Sequence, residues 1–286
     1  MSAIEPWLPA SGIVVAATPL GNVGDASPRL SEALRRADVV AAEDTRRVRN
    51  LAAALGVEIA GRVVSNFDHN EDRRVAELVA EARRGVVLVV SDAGMPLVSD
   101  PGHALVTAAH DAGVPVTCLP GPSAVTTALA LSGLSVGHFI FDGFAPRKAG
   151  ARRAWLESLV GQPRAVCFFE SPHRIAGTLA EAADVLGGER RAAVCRELTK
   201  TYEEVRRGTL AALAEWAAEG LRGEITVVIE GGEGPAAQPG DLVGLVLERV
   251  SAGERLKDAV KEVARAHGVK TGELYDAALA ARSSGS

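Results

Sequence analysis

The run Val86–Val90, "VVLVV", leads directly into "SDAGMPLVSDPG", a stretch turned repeatedly by Gly and Pro. An unbroken apolar run bounded by turn signals suits a strand buried on both faces, as in a parallel sheet covered by helices. That reading limits the fold, because parallel strands need crossover connections, usually helical. The chain supplies them. From Gly12 onward, "IVVAA", "DVVAAED", "RVVSN", "VVLVVSD" and "VPVTCLP" alternate with amphipathic, helix-like segments, the rhythm of an α/β sheet.

The composition changes near "LSGLSVGHFIFDGFAPRKAG". Beyond it, "RAVCFFES", "RAAVCREL", "YEEVRRGTL" and "EITVVIEG" read as strands, some spaced closely enough for antiparallel pairing. Helices are expected over about 173–187 and 209–219. The expected fold class is α/β, with two α/β domains over 12–134 and 135–232 meeting at a cleft, then a helical segment over 241–282. A Gly/Pro-rich linker, "GGEGPAAQPG", precedes that segment. Its two amphipathic stretches join through His267, Gly268 and Val269, with Thr271 placed as a cap. They read equally as a helix-turn-helix or as a hairpin packed on the body.

A length of 286 residues accommodates this plan. The net charge of −5 argues against binding nucleic acid over the whole surface but allows a local basic patch. No apolar run approaches the roughly 18 to 20 residues needed to cross a bilayer. The opening "MSAIEPWLPA" lacks a secretory pattern, so a cytoplasmic protein is expected. Cys118, Cys167 and Cys195 lie in apolar strand-like runs without CxxC spacing and are expected in the core. There is no P-loop, no GxGxxG, no HExxH and no GxSxG.

What remains is a set of Gly/Pro loops at expected strand ends: "ATPLGNVGD", "SDAGMPLVSDPG", "LPGPSA" and "DGFAPRK". Each has a local explanation, since Asp100 can cap a helix with Pro101 at its first position, and Ser123 can cap the next. Four such loops after neighbouring strands also suit a ligand recognised through main-chain groups. Three charged clusters, "AEDTRRVRN", "FFESPHR" and "CRELTKTYEE", follow apolar strands. They are readable as interdomain ion pairs, or as groups that orient an acceptor hydroxyl and hold a phosphate.

The ordered set "ATPLGNVGD", "AAEDTR", "FDHNE", "SDAGMPLVSDPG", "LPGPSA", "GFAPRK", "FFESPHR", "RELTKTYEE" and "GEITVVIEG" resembles the bacterial small-subunit (16S) ribosomal RNA cytidine 2′-O-methyltransferases. These belong to the tetrapyrrole-methylase superfamily of class III S-adenosylmethionine-dependent enzymes. The likeness runs from Gly12 to about Gly232, and the tail resembles the family's C-terminal helix-turn-helix segment. It implies a cytoplasmic homodimer with S-adenosylmethionine held between two α/β domains, acting on the small ribosomal subunit. The family's cofactor loops correspond to Ser91, Asp92, Ala93 and Gly94, and to Pro120, Gly121, Pro122, Ser123 and Ala124, with Glu224 and Ile225 on the last strand. Two positions depart from the family pattern: Met95 stands where Thr is usual, and Ala17 where Pro is usual.

Methyl transfer to a ribose hydroxyl is an in-line displacement that needs alignment and a proton acceptor, and no metal. Glu43 and Glu170 are the candidate acceptors, with Lys200, Arg46 and Arg174 orienting the hydroxyl or binding phosphate. Arg46, Arg47, Arg147, Lys148 and Arg174 are the candidate RNA contacts. Arg49, Arg152 and Arg153 are expected nearby, and Lys257, Lys261 and Lys270 lie on the tail. Two alternatives stand: a tetrapyrrole C-methyltransferase, disfavoured by the helical tail and basic clusters, and a noncatalytic RNA-binding or assembly factor, disfavoured by the retained loops.

Overall fold

A computed structural model describes residues 8–65, 71–100, 102–232, 239–267 and 269–284. β1 (Gly12–Ala16), β2 (Val39–Ala42), β3 (Arg62–Ser65), β4 (Val86–Val90) and β5 (Val116–Leu119) form a wholly parallel sheet ordered β3-β2-β4-β1-β5. β1, β2 and β4 are interior and buried at every position, whereas the edges β3 and β5 are not. Helices cover both faces, which is why β4 reads as an unbroken apolar run. Leu30 and Leu34 of α1 (Pro28–Arg36) and Val48 of α2 (Thr45–Ala54) meet Val14, Val40 and Leu88 on one face. Leu78 of α3 (Glu71–Ala82) and Leu105 of α4 (His103–Asp111) meet Ile13, Ala41 and Val87 on the other.

Local signals set several helix starts. Ser27 accepts the Leu30 N–H with Pro28 following it, and Asp44 accepts the Arg46 N–H. The expected Asp100 cap is not formed, because α4 starts at His103 behind Gly102, at φ 118°. Pro101 lies outside the described residues, as does the "FDHNE" motif except Glu71. Cys118 is exposed on the edge strand β5, contrary to the expectation of three core thiols, while Cys167 and Cys195 are buried.

The second sheet contains β6 (Phe139–Phe144), β7 (Ala165–Glu170), β8 (Arg191–Arg196), β9 (Glu204–Thr209) and β10 (Ile225–Ile229), ordered β6-β7-β10-β8-β9. β6 runs parallel to β7, and the remaining pairs are antiparallel. On one face, Phe168 packs with Leu156 of α6 (Ala149–Ser158), Leu179 of α7 (Ile175–Leu186) and Leu213 of α8 (Leu210–Ala218). On the other face, Cys167, Cys195 and Val228 pack against Val125, Ala128 and Leu129 of α5 (Ala124–Ser132). α5 leaves the first sheet at β5 and buries its apolar stripe on the second, so it fixes one half to the other. The "DGFAPRK" stretch differs from expectation. Asp142, Gly143 and Phe144 continue β6 through a bulge, and β6 belongs to the second sheet.

Among the described residues the tail forms α9 (Val243–Ser251), α10 (Leu256–His267) and α11 (Thr271–Ser284); α10 and α11 are the two expected stretches, and α9 precedes them. Leu242, Val246, Val260, Val263, Leu274 and Ala278 form a core drawn from the tail alone. That arrangement differs from a hairpin whose apolar face rests on the body. Thr271 is the first residue of α11 rather than its preceding cap, and Gly268 lies outside the described residues. Among the described residues, no helix is long and apolar enough to cross a membrane.

Candidate active site

The chain leaves β1 toward β2 on one side and leaves β4 toward β5 on the other, so the carboxyl ends of these strands open a crevice. Thr18 and Gly94 close its floor: each N–H donates to the other's carbonyl, at 2.9 and 3.0 Å. Gly94 sits at φ 82°, and a Cβ there would come within 3.1 Å of Leu20. The residue lets two loops cross, and its main-chain groups are spent on Thr18. Ser91 is buried beneath the turn, its hydroxyl donating to the Ala93 and Gly94 carbonyls at 3.4 Å each.

Above this floor the ends of β2 and β4 are tied through their acids. Glu43 Oε2 accepts the Asp92 N–H at 3.0 Å, and Asp92 Oδ1 accepts the Asp44 N–H at 3.1 Å. Arg47 Nε lies 3.3 Å from Asp92 Oδ2. Asp100, which sequence reasoning treated only as a cap, joins this cluster. Burial, with the neighbouring Glu43 and Asp92 charges, pushes its carboxyl up to about 6 against a weaker opposing bond from Ser91.

The second half contributes the opposite wall. Glu170 has a fully buried carboxylate: Oε1 accepts the Ser171 N–H at 2.8 Å, and Oε2 accepts Thr178 Oγ1 at 2.7 Å and Arg174 Nη2 at 3.0 Å. The same Arg174 nitrogen donates to the Ala145 and Pro146 carbonyls at 2.7 and 3.1 Å. Lys200 Nζ bonds Glu197 Oε1 at 2.8 Å and Glu224 Oε2 at 3.0 Å. Burial disfavours its ammonium, but those two carboxylates outweigh it and hold the lysine above its ordinary value. Thr199 Oγ1 accepts the Asn22 N–H at 3.2 Å, joining the loop after β8 to the loop after β1.

Together these walls enclose a cavity of about 430 Å³. Of the sequence-derived candidates, it brings together Glu43, Arg47, Asp92, Ala93, Ala124, Glu170, Glu224 and Ile225. A smaller adjoining space takes in Gly94 and Ser123. Ser91, Pro120, Gly121, Pro122, Arg46, Arg147, Lys148, Arg174 and Lys200 are not part of the cavity lining. The structure adds Leu20, Asp100, Phe144, Phe169 and Thr226, all of which stood inside motifs already singled out without being named as site residues. Met95 packs against the core under α3 and α4. Arg152 and Arg153 pair with Glu181 and Asp184 of α7, and Arg46 with Asp44. Among the described residues, no side-chain partner engages the exposed Arg147 or Lys148.

The family described as Tetrapyrrole (Corrin/Porphyrin) Methylases matches residues 12–214, the segment that builds nearly all of both sheets. The chain belongs to the tetrapyrrole methylases. The tail of this tetrapyrrole methylase, residues 237–282, matches the RsmI C-terminal HTH domain. The chain is 60% identical over 272 residues to Ribosomal RNA small subunit methyltransferase I of Mycobacterium tuberculosis, covering 94% of this chain and 95% of that one. It is 40% identical over 278 residues to the protein of the same name from Pseudomonas aeruginosa, covering 94% and 97%. Among solved structures, the Thermus thermophilus uroporphyrin-III C-methyl transferase complexed with S-adenyl homocysteine shares the fold. Its TM-score is 0.53 at 20% identity, over 77% of this chain and 96% of that one.

Proposed function

We propose that the protein transfers a methyl group from S-adenosylmethionine to the 2′-hydroxyl of a cytidine in small-subunit ribosomal RNA. The relatives' names support the ribosomal substrate, and the family supports the cofactor. The cavity fits that cofactor. Its volume of about 430 Å³ is in the range of small-molecule sites. Asp92, Asp100 and Glu224 give it the negative lining that suits a sulfonium and an ammonium group. When bound, S-adenosylmethionine supplies an electrophilic methyl group. Asp92, Ala93, Ala124, Glu224 and Ile225 would hold it, with Gly94 and Ser123 flanking.

The observation that carries the reading is the state of Glu43. One of its oxygens is fixed by the Asp92 N–H, and Oε1 has no protein donor among the described residues. A carboxylate so oriented can accept the hydroxyl proton as the oxygen attacks, while Arg47 beside it balances charge. Glu170 has both oxygens occupied, so it acts through Arg174 as a positioning residue. Lys200 stays cationic and orients Glu224. Arg46, Arg47, Arg147 and Lys148 meet phosphates at the rim, and the tail adds contacts to the assembled subunit. The edge strand β5 borders an open, apolar depression of about 450 Å³ that includes Met95 and Val98, which supports a homodimer, and the ribosomal substrate in the relatives' names supports the cytoplasm.

The test is transfer of labelled methyl groups to small ribosomal subunits from a methylation-deficient strain. Label resistant to base removal, on a ribose 2′ oxygen of cytidine, is expected. Label elsewhere, or none, would refute the reaction. Asp92→Arg combined with Gly94→Trp should abolish calorimetric binding of S-adenosylhomocysteine, and undiminished binding would place the cofactor elsewhere.

A further inference from the structure

Phe144 is a large apolar side chain left 60% exposed at the mouth of the cavity that also contains Glu43, Asp92 and Glu224. Its orientation is built in. The register of β6 against β7 shifts between Phe141 and Phe144, and Gly143 lies at φ 67° within that bulge, where an L side chain is strained. A Cβ at Gly143 would also come within 3.2 Å of Ser99 Oγ, on the loop after β4. The ring is braced from behind, with its centroid 5.4 Å from that of Phe169 in an edge-on arrangement. Phe169 in turn meets Phe141 at 5.0 Å. A largely exposed aromatic ring, braced by Phe169, therefore lines the cavity.

Three and four residues further on stand Arg147 and Lys148, both exposed and, among the described residues, without side-chain partners. The strand end between ring and cations is pinned where Arg174 holds the Ala145 and Pro146 carbonyls. A rigid aromatic face followed by uncommitted cations is the chemistry that receives an unstacked nucleobase and its flanking phosphates. A ribose can reach Glu43, half-buried within the cavity, only if its nucleotide leaves the surrounding stack.

We propose that Phe144 is a stacking platform for the base of the nucleotide being methylated, an assignment that rests on the RNA-methylating reading of the site. The base lies on the exposed face of the ring, and its ribose is thereby carried to Glu43. The cofactor's adenine is the other nucleobase at hand. Phe144 lines the same cavity as Asp92 and Ala93, so the cofactor-binding arm of the test decides between the two bases.

Phe144→Tyr, Phe144→Leu and Phe144→Ala separate the cases. Steady-state methylation of small subunits is measured with each, alongside calorimetry with S-adenosylhomocysteine and sedimentation velocity. Tyr should keep the wild-type KM, and Leu and Ala should raise it roughly 5- to 100-fold, the range for one base on one ring. Cofactor affinity and oligomeric state should not change. A Leu variant equal to wild type would show that the ring is only apolar packing. Parallel losses in cofactor affinity would assign the platform to adenine, and loss of a dimer would assign the ring to a subunit interface. Each of these overturns the proposal while the reaction stands. Absence of methyl transfer by the wild-type protein would overturn both.

Discussion

Glu43 and Asp92 hold each other's strand ends: the Asp92 N–H donates to Glu43 Oε2 at 3.0 Å, while Asp92 Oδ1 accepts the N–H of Asp44, next to Glu43, at 3.1 Å. β2 and β4 are hydrogen-bonded neighbours that end side by side, and the two acids extend that ladder into the crevice. Glu43 is therefore oriented by main chain rather than by a mobile partner. An orientation fixed before substrate arrives suits a group that must take a proton in line with a displacement.

Glu43→Gln keeps an oxygen able to accept the Asp92 N–H but removes the proton acceptor. Methyl transfer should slow by about 10² to 10⁴-fold, with S-adenosylhomocysteine affinity preserved in calorimetry. A variant that turns over at the wild-type rate would remove Glu43 from the reaction.

Glu170→Gln should behave differently. The carboxylate is fully buried and supports Arg174, so neutralising it removes the guanidinium's charge partner and leaves one oxygen for the Ser171, Arg174 and Thr178 donors that two now serve. Thermal or urea unfolding should show a loss of about 1 to 3 kcal/mol, the range for a charged hydrogen bond weakened in a buried site. Unchanged stability with a collapsed rate at saturating substrate would instead make Glu170 catalytic.

Asp100 supplies a pH dependence. Its folded carboxyl binds a proton up to about pH 6, whereas its ordinary value is 3.8. Between those values the native state holds more protons than the unfolded state, so this group's contribution to stability falls as pH rises and stays lost above about 6. Asp100→Asn is neutral throughout. It should melt close to wild type at pH 4 and above it at pH 8. A difference in melting temperature that does not vary with pH contradicts the raised value.

The three thiols should separate by reactivity. Burial, with the neighbouring Cys195, pushes Cys167 up to about 12, and burial with Glu203 pushes Cys195 up to about 11. Cys118 is exposed on β5. A disulfide reagent at pH 8 should label Cys167 and Cys195 only after denaturation, whereas Cys118 should react in the native protein at a rate that falls as the β5 edge is covered by dimerisation. Rapid labelling of all three without denaturant would contradict the packing of α5 on the second sheet.

Truncation before Pro239 should leave the body folded, because the tail helices form their own core. The truncated protein is expected to keep its cofactor affinity and to bind small subunits more weakly, with a salt dependence shallower than that of the full chain. Filter binding compares them, and equal subunit affinity at all salt concentrations would remove the tail from RNA recognition.

The sequence by itself determined the parallel sheet, since strands buried on both faces must be apolar throughout, and β1, β2 and β4 are. It placed α7 and α8 within a few residues, and it marked the Gly/Pro turns at the strand ends around the crevice. Those are local properties, written in neighbouring residues. Only the tertiary structure decided which acid is free. Glu43 and Glu170 each follow an apolar strand and read alike, yet one keeps an open oxygen while Arg174 and Thr178 take up the other. It likewise moved Asp100 from a helix cap into a carboxylate cluster, turned Phe144 outward, and left Cys118 on an edge. Each outcome depends on which distant segment arrives opposite, a matter of strand order and bulge position that no short window of sequence contains.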